Sequence, residues 1–157
     1  VECAGGGAGV SLAGWCDLVI ASDTAKFTSA YTRIGLTPDG SSTYFLTRVI
    51  GRRRALEMYL TNRTITAQEA LDWGLVNRVV PSADLNKEVD QLAKDIAAGP
   101  TLAHGGVKRL VLMSPNDTLE SQMERGTREI TRMVGTKDAQ DGMAEFVANK
   151  KPTFEGR

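Results

Sequence analysis

The sequence predicts an α/β fold with short strands in its front half and helices in its back half, and three observations predict it. Residues 5–16, GGGAGVSLAGWC, read as a glycine turn opening directly into a helix. Two apolar runs bounded by polar residues, 17–22 and 26–28, read as short buried strands. From position 85 onward apolar residues recur at three and four, first as Leu85, Val89, Leu92 and Ile96, which is helical spacing.

Each element has its own local reason. Gly7, Ala8 and Gly9 fall at the start of the first helix, where amides without intrahelical partners and the positive end of the dipole favour an oxyanion or a phosphate. Taken alone, the same run also suits a plain packing turn. Residues 31–42 read as a loop, with turn chemistry at Pro38-Asp39-Gly40, after which Ser41 or Ser42 caps a helix carrying Tyr44, Phe45, Leu46 and Val49. Gly51 breaks that helix, and Ala55, Leu56, Tyr59 and Leu60 mark the apolar face of the next. Thr66 and Glu69 have capping-box spacing, and Gly74 sits where a left-handed residue ends a helix after Trp73. Residues 75–80 alternate as a strand that Pro81 stops.

The stripe from Leu85 runs to the Gly99-Pro100 break. A helix weakened by Gly105 and Gly106 then runs from Leu102 towards Met113. Asp117 and Glu120 have a second capping-box spacing, ahead of a long helix with Leu119, Met123, Ile130 and Met133 on one side. A last helix from about position 137 carries Met143, Phe146 and Val147. These stripes are expected to pack within the chain, with a subunit interface as the alternative.

Composition excludes several function classes. At 157 residues the chain has one domain's length, and its 41% hydrophobic and 24% charged content is that of a globular protein. Lys plus Arg equals Asp plus Glu at 19 each, so charge argues for neither nucleic acid nor an anionic membrane. No apolar run approaches the roughly 20 residues of a membrane span, and the first residues lack a targeting layout. Cys3 and Cys16 make no metal or redox spacing and read as structural cysteines of a reducing compartment, so a cytoplasmic location is expected. The glycine run lies so near the first residue that no full strand fits before it, and a C-terminal portion of a longer polypeptide is expected.

Spacing also narrows what the glycine run can be. No Gly-Lys-Ser/Thr follows it, and Gly7-Ala8-Gly9 lacks the further glycine of a dinucleotide fingerprint. Gly9-Val10-Ser11-Leu12-Ala13 approaches a nucleophile elbow, but Ala13 replaces the last glycine. His104 is the one histidine, and its place between a proline break and two glycines suits a surface or core residue better than a base. Arg52, Arg53 and Arg54 read as a solvated cluster at a helix start, with phosphate contact as the alternative.

The stretch AGGGAGVSLAGWCDLVIASDTAKF, followed by IGLTPDGSSTYFLTRVIGRRRALEMYLTNRTITAQEALDWGLVNRVV, resembles the crotonase superfamily of enoyl-CoA hydratases and isomerases. The glycine-led helix, the CD and AKF strands, the G-x-x-P turn and the A-x-x-x-G-L-V segment stand in that family's order, and the resemblance continues to Phe154. It implies a partial ββα spiral over residues 1–81 carrying the oxyanion-hole helix, then a helical region over 82–157 for trimerisation and pocket closure. It also implies an acyl-CoA substrate, no separate cofactor, no metal, and a homotrimer or homohexamer.

Residue by residue, the resemblance makes the Ala8 N–H one of two amides that hold the thioester oxygen, with Gly7 and Gly9 beside it; the family's other amide lies upstream of the glycine run. The two positions where hydratases of this family carry glutamates are Ser11 and Tyr31, which become pocket lining or hydrogen-bond donors. Asp39 stands where isomerase-type relatives, including those of phenylacetate breakdown, have a catalytic aspartate. Its other reading is an ordinary turn residue. One carboxylate can take a proton from one carbon and return it two carbons along, whereas hydration asks for two groups. The expected activity is therefore enoyl-CoA isomerisation, with a hydratase or lyase using Asp23 or Glu57, or a non-catalytic assembly module, as alternatives. Lys150, Lys151 and Phe154 are the tail residues the resemblance brings near the CoA nucleotide.

Overall fold

The glycine run is half strand and half turn. In a computed structural model, which describes residues 1–2 and 4–157, β1 (Ala4–Gly6) leads through Gly7 into α1 (Ala8–Trp15). Cys3, read above as structural, lies outside the described residues. Contacts divide the chain into Val1–Val89 and Asp90–Arg157.

In the first unit, β1 lies parallel to β3 (Lys26–Thr28), with Ala4 opposite Lys26 and Gly6 opposite Thr28. On its other side β3 pairs antiparallel with β4 (Ile65–Thr66), a strand the sequence did not announce. Separately, β2 (Ile20–Ser22) pairs parallel with β5 (Arg78–Val80), so the runs expected over 17–22 and 75–80 are strands only at their far ends. Phe27, Leu46, Met58 and Ile65 are the largest fully buried side chains among the described residues, drawn from strands and from α2 (Ser42–Val49) and α3 (Arg52–Thr61). At Gly14 the two helices α1 and α2 meet: a Cβ there would sit 3.3 Å from Phe45 Cβ.

Some expectations change on folding. Ser41 is the N-cap of α2, but its backbone is left-handed and its side chain makes no capping bond. On α3 Ala55, Met58 and Tyr59 are buried, while Leu56 and Leu60 face outward, because the buried stripe is narrower than the apolar one. Thr66 and Glu69 do form a capping box at α4 (Ala67–Asp72), and Gly74 follows Trp73 at φ 79°.

The helix α5 (Leu85–Ala97) begins in the first unit and continues in the second. There α6 (Thr101–Met113) runs unbroken through Gly105 and Gly106 to pack on α7 (Leu119–Val134), followed by α8 (Lys137–Val147). Gly106 marks a close approach, since a Cβ would lie 2.7 Å from Glu129 Oε1. The expected Asp117–Glu120 box gives way to Thr118, whose side chain accepts the Ser121 amide at 3.2 Å, while Asp117 pairs with Arg125 at 2.8 Å. The stripes expected to pack internally are largely exposed: Leu119, Met123, Ile130, Met143 and Phe146 all face outward. Among the described residues no helix is long and apolar enough to cross a membrane.

Candidate active site

The site begins at a bond between strand and turn. Gly7 N–H donates to Thr28 O at 3.0 Å, so the end of β1 is tied to β3 just where the chain must reverse into α1. Gly7 has φ 51° and ψ −116°, a backbone state that disfavours any side chain. The first intrahelical donor is Val10, whose N–H reaches Gly7 O at 3.1 Å. Ala8 and Gly9 therefore stand at the head of the helix as amides outside its ladder, where the dipole is positive. Such a pair can hold a developing negative oxygen.

Beside this turn lies Tyr31. A Cβ on Gly7 would come 3.8 Å from Tyr31 Cζ, and the Tyr31 hydroxyl donates to Asp39 Oδ1 at 2.7 Å. Tyr31 sits on a 3-10 turn, Tyr31–Ile34, and its carbonyl accepts from Leu36, which curls the following loop back towards it. The Pro38-Asp39-Gly40 turn is held from α1: Trp15 Nε1 donates to Gly40 O at 2.9 Å, and Gly40 packs on Ser11, where a Cβ would lie 3.3 Å from Ser11 Cβ, at a φ of 57° that disfavours a side chain. The glycine run itself pointed to Gly7, Ala8 and Gly9, and the family resemblance brought in Ser11, Tyr31 and Asp39; the fold brings their elements together. Trp15 as the anchor of the turn was missed; an apolar aromatic in a helix gives no sign that its N–H will be spent on a loop carbonyl.

Electrostatics follow from burial. Burial first, and the bond to Asp39 second, push the Tyr31 phenol above its ordinary range, while the neighbouring Ser11 hydroxyl pulls it part of the way back. At neutral pH Tyr31 is thus a donor, and Asp39 accepts. Ser11 acts on the phenol without reaching direct hydrogen-bond geometry; its hydroxyl is buried without a partner. Ser11 also lies a turn inside α1, so no nucleophile elbow exists there.

Other candidates go elsewhere. Asp23 accepts the Ser82 amide at 3.1 Å and Glu57 pairs with Arg63 at 3.0 Å, so both alternative acids serve local structure. In the second unit His104 packs beneath Gly99, where a Cβ would lie 2.6 Å from its Cε1. Phe154 lies against Gly142 and lines an apolar cavity of about 430 Å³ with Met133, Met143 and Phe146, while Lys151 is exposed. Cys16 is exposed at the end of α1 rather than built into the core. Arg52, Arg53 and Arg54 line an open hollow at the start of α3. Among the described residues no group of three His, Cys, Asp or Glu side chains is arranged to hold a metal ion.

A family model described as enoyl-CoA hydratase/isomerase matches residues 1–157. Over 142 residues the chain is 42% identical to 4-chlorobenzoyl coenzyme A dehalogenase-1 of Arthrobacter sp, covering 90% of this chain and 51% of that protein. It is 36% identical over 152 residues to 1,2-epoxyphenylacetyl-CoA isomerase of Escherichia coli, covering 96% and 58%. The crystal structure of an enoyl-CoA hydratase from Polaromonas sp. JS666 superposes with a TM-score of 0.94 at 32% identity, covering 99% of this chain and 60% of that one. The chain thus spans between half and three-fifths of the length of these relatives. With a spiral-core glycine turn, an α/β fold shared with solved members and a family match along its whole length, the chain belongs to the enoyl-CoA hydratase/isomerase family.

Proposed function

We propose that this chain carries the reacting site of an enoyl-CoA isomerase, with Asp39 as the proton carrier and the Ala8 N–H as one arm of the oxyanion hole. Asp39 takes a proton from the carbon between the thioester and the double bond of a 3-enoyl-CoA. The electron pair moves onto the thioester oxygen, where the Ala8 amide donates to it, and Gly7 and Gly9 let the backbone come close. The same carboxyl then returns the proton two carbons along as the electrons flow back, giving the conjugated 2-enoyl ester. The observation that carries this reading is the 2.7 Å bond by which Tyr31 aims the Asp39 carboxylate beside the Gly7 turn. Serine and tyrosine at positions 11 and 31 supply no second carboxylate, which favours isomerisation over hydration.

Homotrimeric or homohexameric assembly belongs to the same proposal, supported by the outward-facing apolar residues of α7 and α8. Lys151 is the tail residue proposed to meet the CoA nucleotide. The 42% identity to the Arthrobacter protein favours one second reading, halide displacement from an aromatic acyl-CoA at the same carboxylate.

The test follows conversion of a 3-enoyl-CoA to its 2-enoyl isomer by the wild type and Asp39→Asn, with hydration of the 2-enoyl ester and chloride release from 4-chlorobenzoyl-CoA alongside. Isomerisation that disappears in Asp39→Asn, with negligible hydration and no chloride, is expected. Isomerisation that survives in the mutant removes Asp39 from its role, and chloride release by the wild type favours the second reading.

A further inference from the structure

The Tyr31 oxygen donates one hydrogen bond, to Asp39, and can still accept another. Three further buried hydroxyls come from three different helices: Ser11 of α1, Ser42 of α2 and Tyr59 of α3, only 3%, 2% and 7% exposed. None of the three has a direct hydrogen-bond partner. Main-chain bonds hold them close to the pair. Ser42 N–H donates to the Asp39 carbonyl at 3.1 Å, Tyr59 O accepts from Thr32 Oγ1 at 2.7 Å, and Gly40 rests on Ser11. The shifts agree with this placement: burial raises the Tyr59 phenol, Ser42 lowers it and an ionised Tyr31 raises it further, while Ser11 lowers the Tyr31 phenol.

Burying several hydroxyls side by side without partners is costly, whereas a chain in which each donates to the next satisfies all of them and strengthens its last bond.

We propose that Ser42, Tyr59 and Ser11 are positioning residues for the Tyr31–Asp39 pair, their hydroxyls forming the buried end of a hydrogen-bond chain that passes through the Tyr31 oxygen. The proposal rests on the isomerase reading for its consequence, since the chain fixes the carboxylate that moves the proton. It does not rest on that reading for its physical content.

The test uses the whole chain labelled with carbon-13 at the tyrosine ζ position, which gives signals from the 3 tyrosines. Tyr44, stacked under Arg48 at 3.6 Å, serves as the internal control. Tyr59→Phe keeps the ring and Ser42→Ala is a second, smaller change. Both are expected to shift the Tyr31 signal at neutral pH and to leave Tyr44 in place. In the isomerase assay each is expected to lower kcat about tenfold at unchanged KM, and Tyr59→Phe is expected to add nothing to Tyr31→Phe. A Tyr31 signal that ignores both substitutions overturns the proposal. An inactive wild type whose Tyr31 signal still follows Tyr59→Phe overturns the isomerase reading alone.

Discussion

Tyr31 and Asp39 are eight residues apart and meet through a 2.7 Å hydrogen bond, because a 3-10 turn and a Pro-Asp-Gly turn fold the intervening loop back on itself. The phenol is raised by burial and by this bond, so it keeps its proton and acts as a fixed donor. A carboxylate on an exposed turn otherwise samples several rotamers, and a donor aimed at one oxygen restricts it. Tyr31→Phe is expected to lower kcat for isomerisation by roughly ten- to a hundredfold with little change in KM, since it disturbs aim and leaves binding intact. Steady-state kinetics at saturating and limiting substrate check this; an equal loss in kcat for an inert surface variant such as Lys87→Ala would show the effect to be general.

Gly40 couples the same turn to α1. Its φ is positive, and a Cβ would lie 3.3 Å from Ser11 Cβ, so Gly40→Ala meets both backbone strain and a tight neighbour. We expect a loss of about 1–2 kcal/mol in stability and a fall in isomerase activity, because the turn that carries Asp39 must shift. Urea unfolding measures the first. Unchanged stability would mean that the turn relaxes freely.

Local chemistry was legible in the sequence; coverage was not. The glycine turn, the AKF strand, the Thr66–Glu69 box and Gly74 are written in residues whose preferences act within a few positions. The Asp117–Glu120 spacing failed because Thr118 caps equally well one residue later, and Asp117 found Arg125 instead. Periodicity identified the apolar faces of α3, α7 and α8 but not whether anything covers them, and Leu60, Ile130 and Phe146 remain outside. At the site, Asp39 and Ala8 were legible through family resemblance. Tyr59 was legible only as part of an apolar face, since nothing in its spacing says that its hydroxyl is buried without a partner.

In the second unit the last residues are clasped by one buried acid. Asp138, 4% exposed, accepts the amides of Glu155 at 2.7 Å and Gly156 at 2.9 Å, and its own N–H donates to Arg157 O. Phe154 follows these bonds into contact with Gly142. Asp138→Ala removes both acceptors and is expected to cost about 3 kcal/mol. Hydrogen exchange at residues 155 and 156 should accelerate strongly while that of α6 stays slow. Protection retained at those two amides would mean that Phe154 alone holds the tail.

The capping box makes part of the stability depend on pH. The Thr66 backbone amide, and then the Arg63 charge, hold the Glu69 carboxyl below its ordinary 4.5. A depressed folded value means that, on acidification, the unfolded chain takes up this proton first, so the contribution is present above 4.5 and is lost as pH falls through the lower folded value. Glu69→Gln removes it. The wild type should therefore exceed Glu69→Gln in urea midpoint at pH 7, and the gap should close in acid. Glu129 and Glu155 are depressed as well and stay in both proteins, so the difference isolates Glu69. Midpoints that run parallel from neutral to acid would show that the Thr66–Glu69 bonds form with no preference for the charged carboxylate.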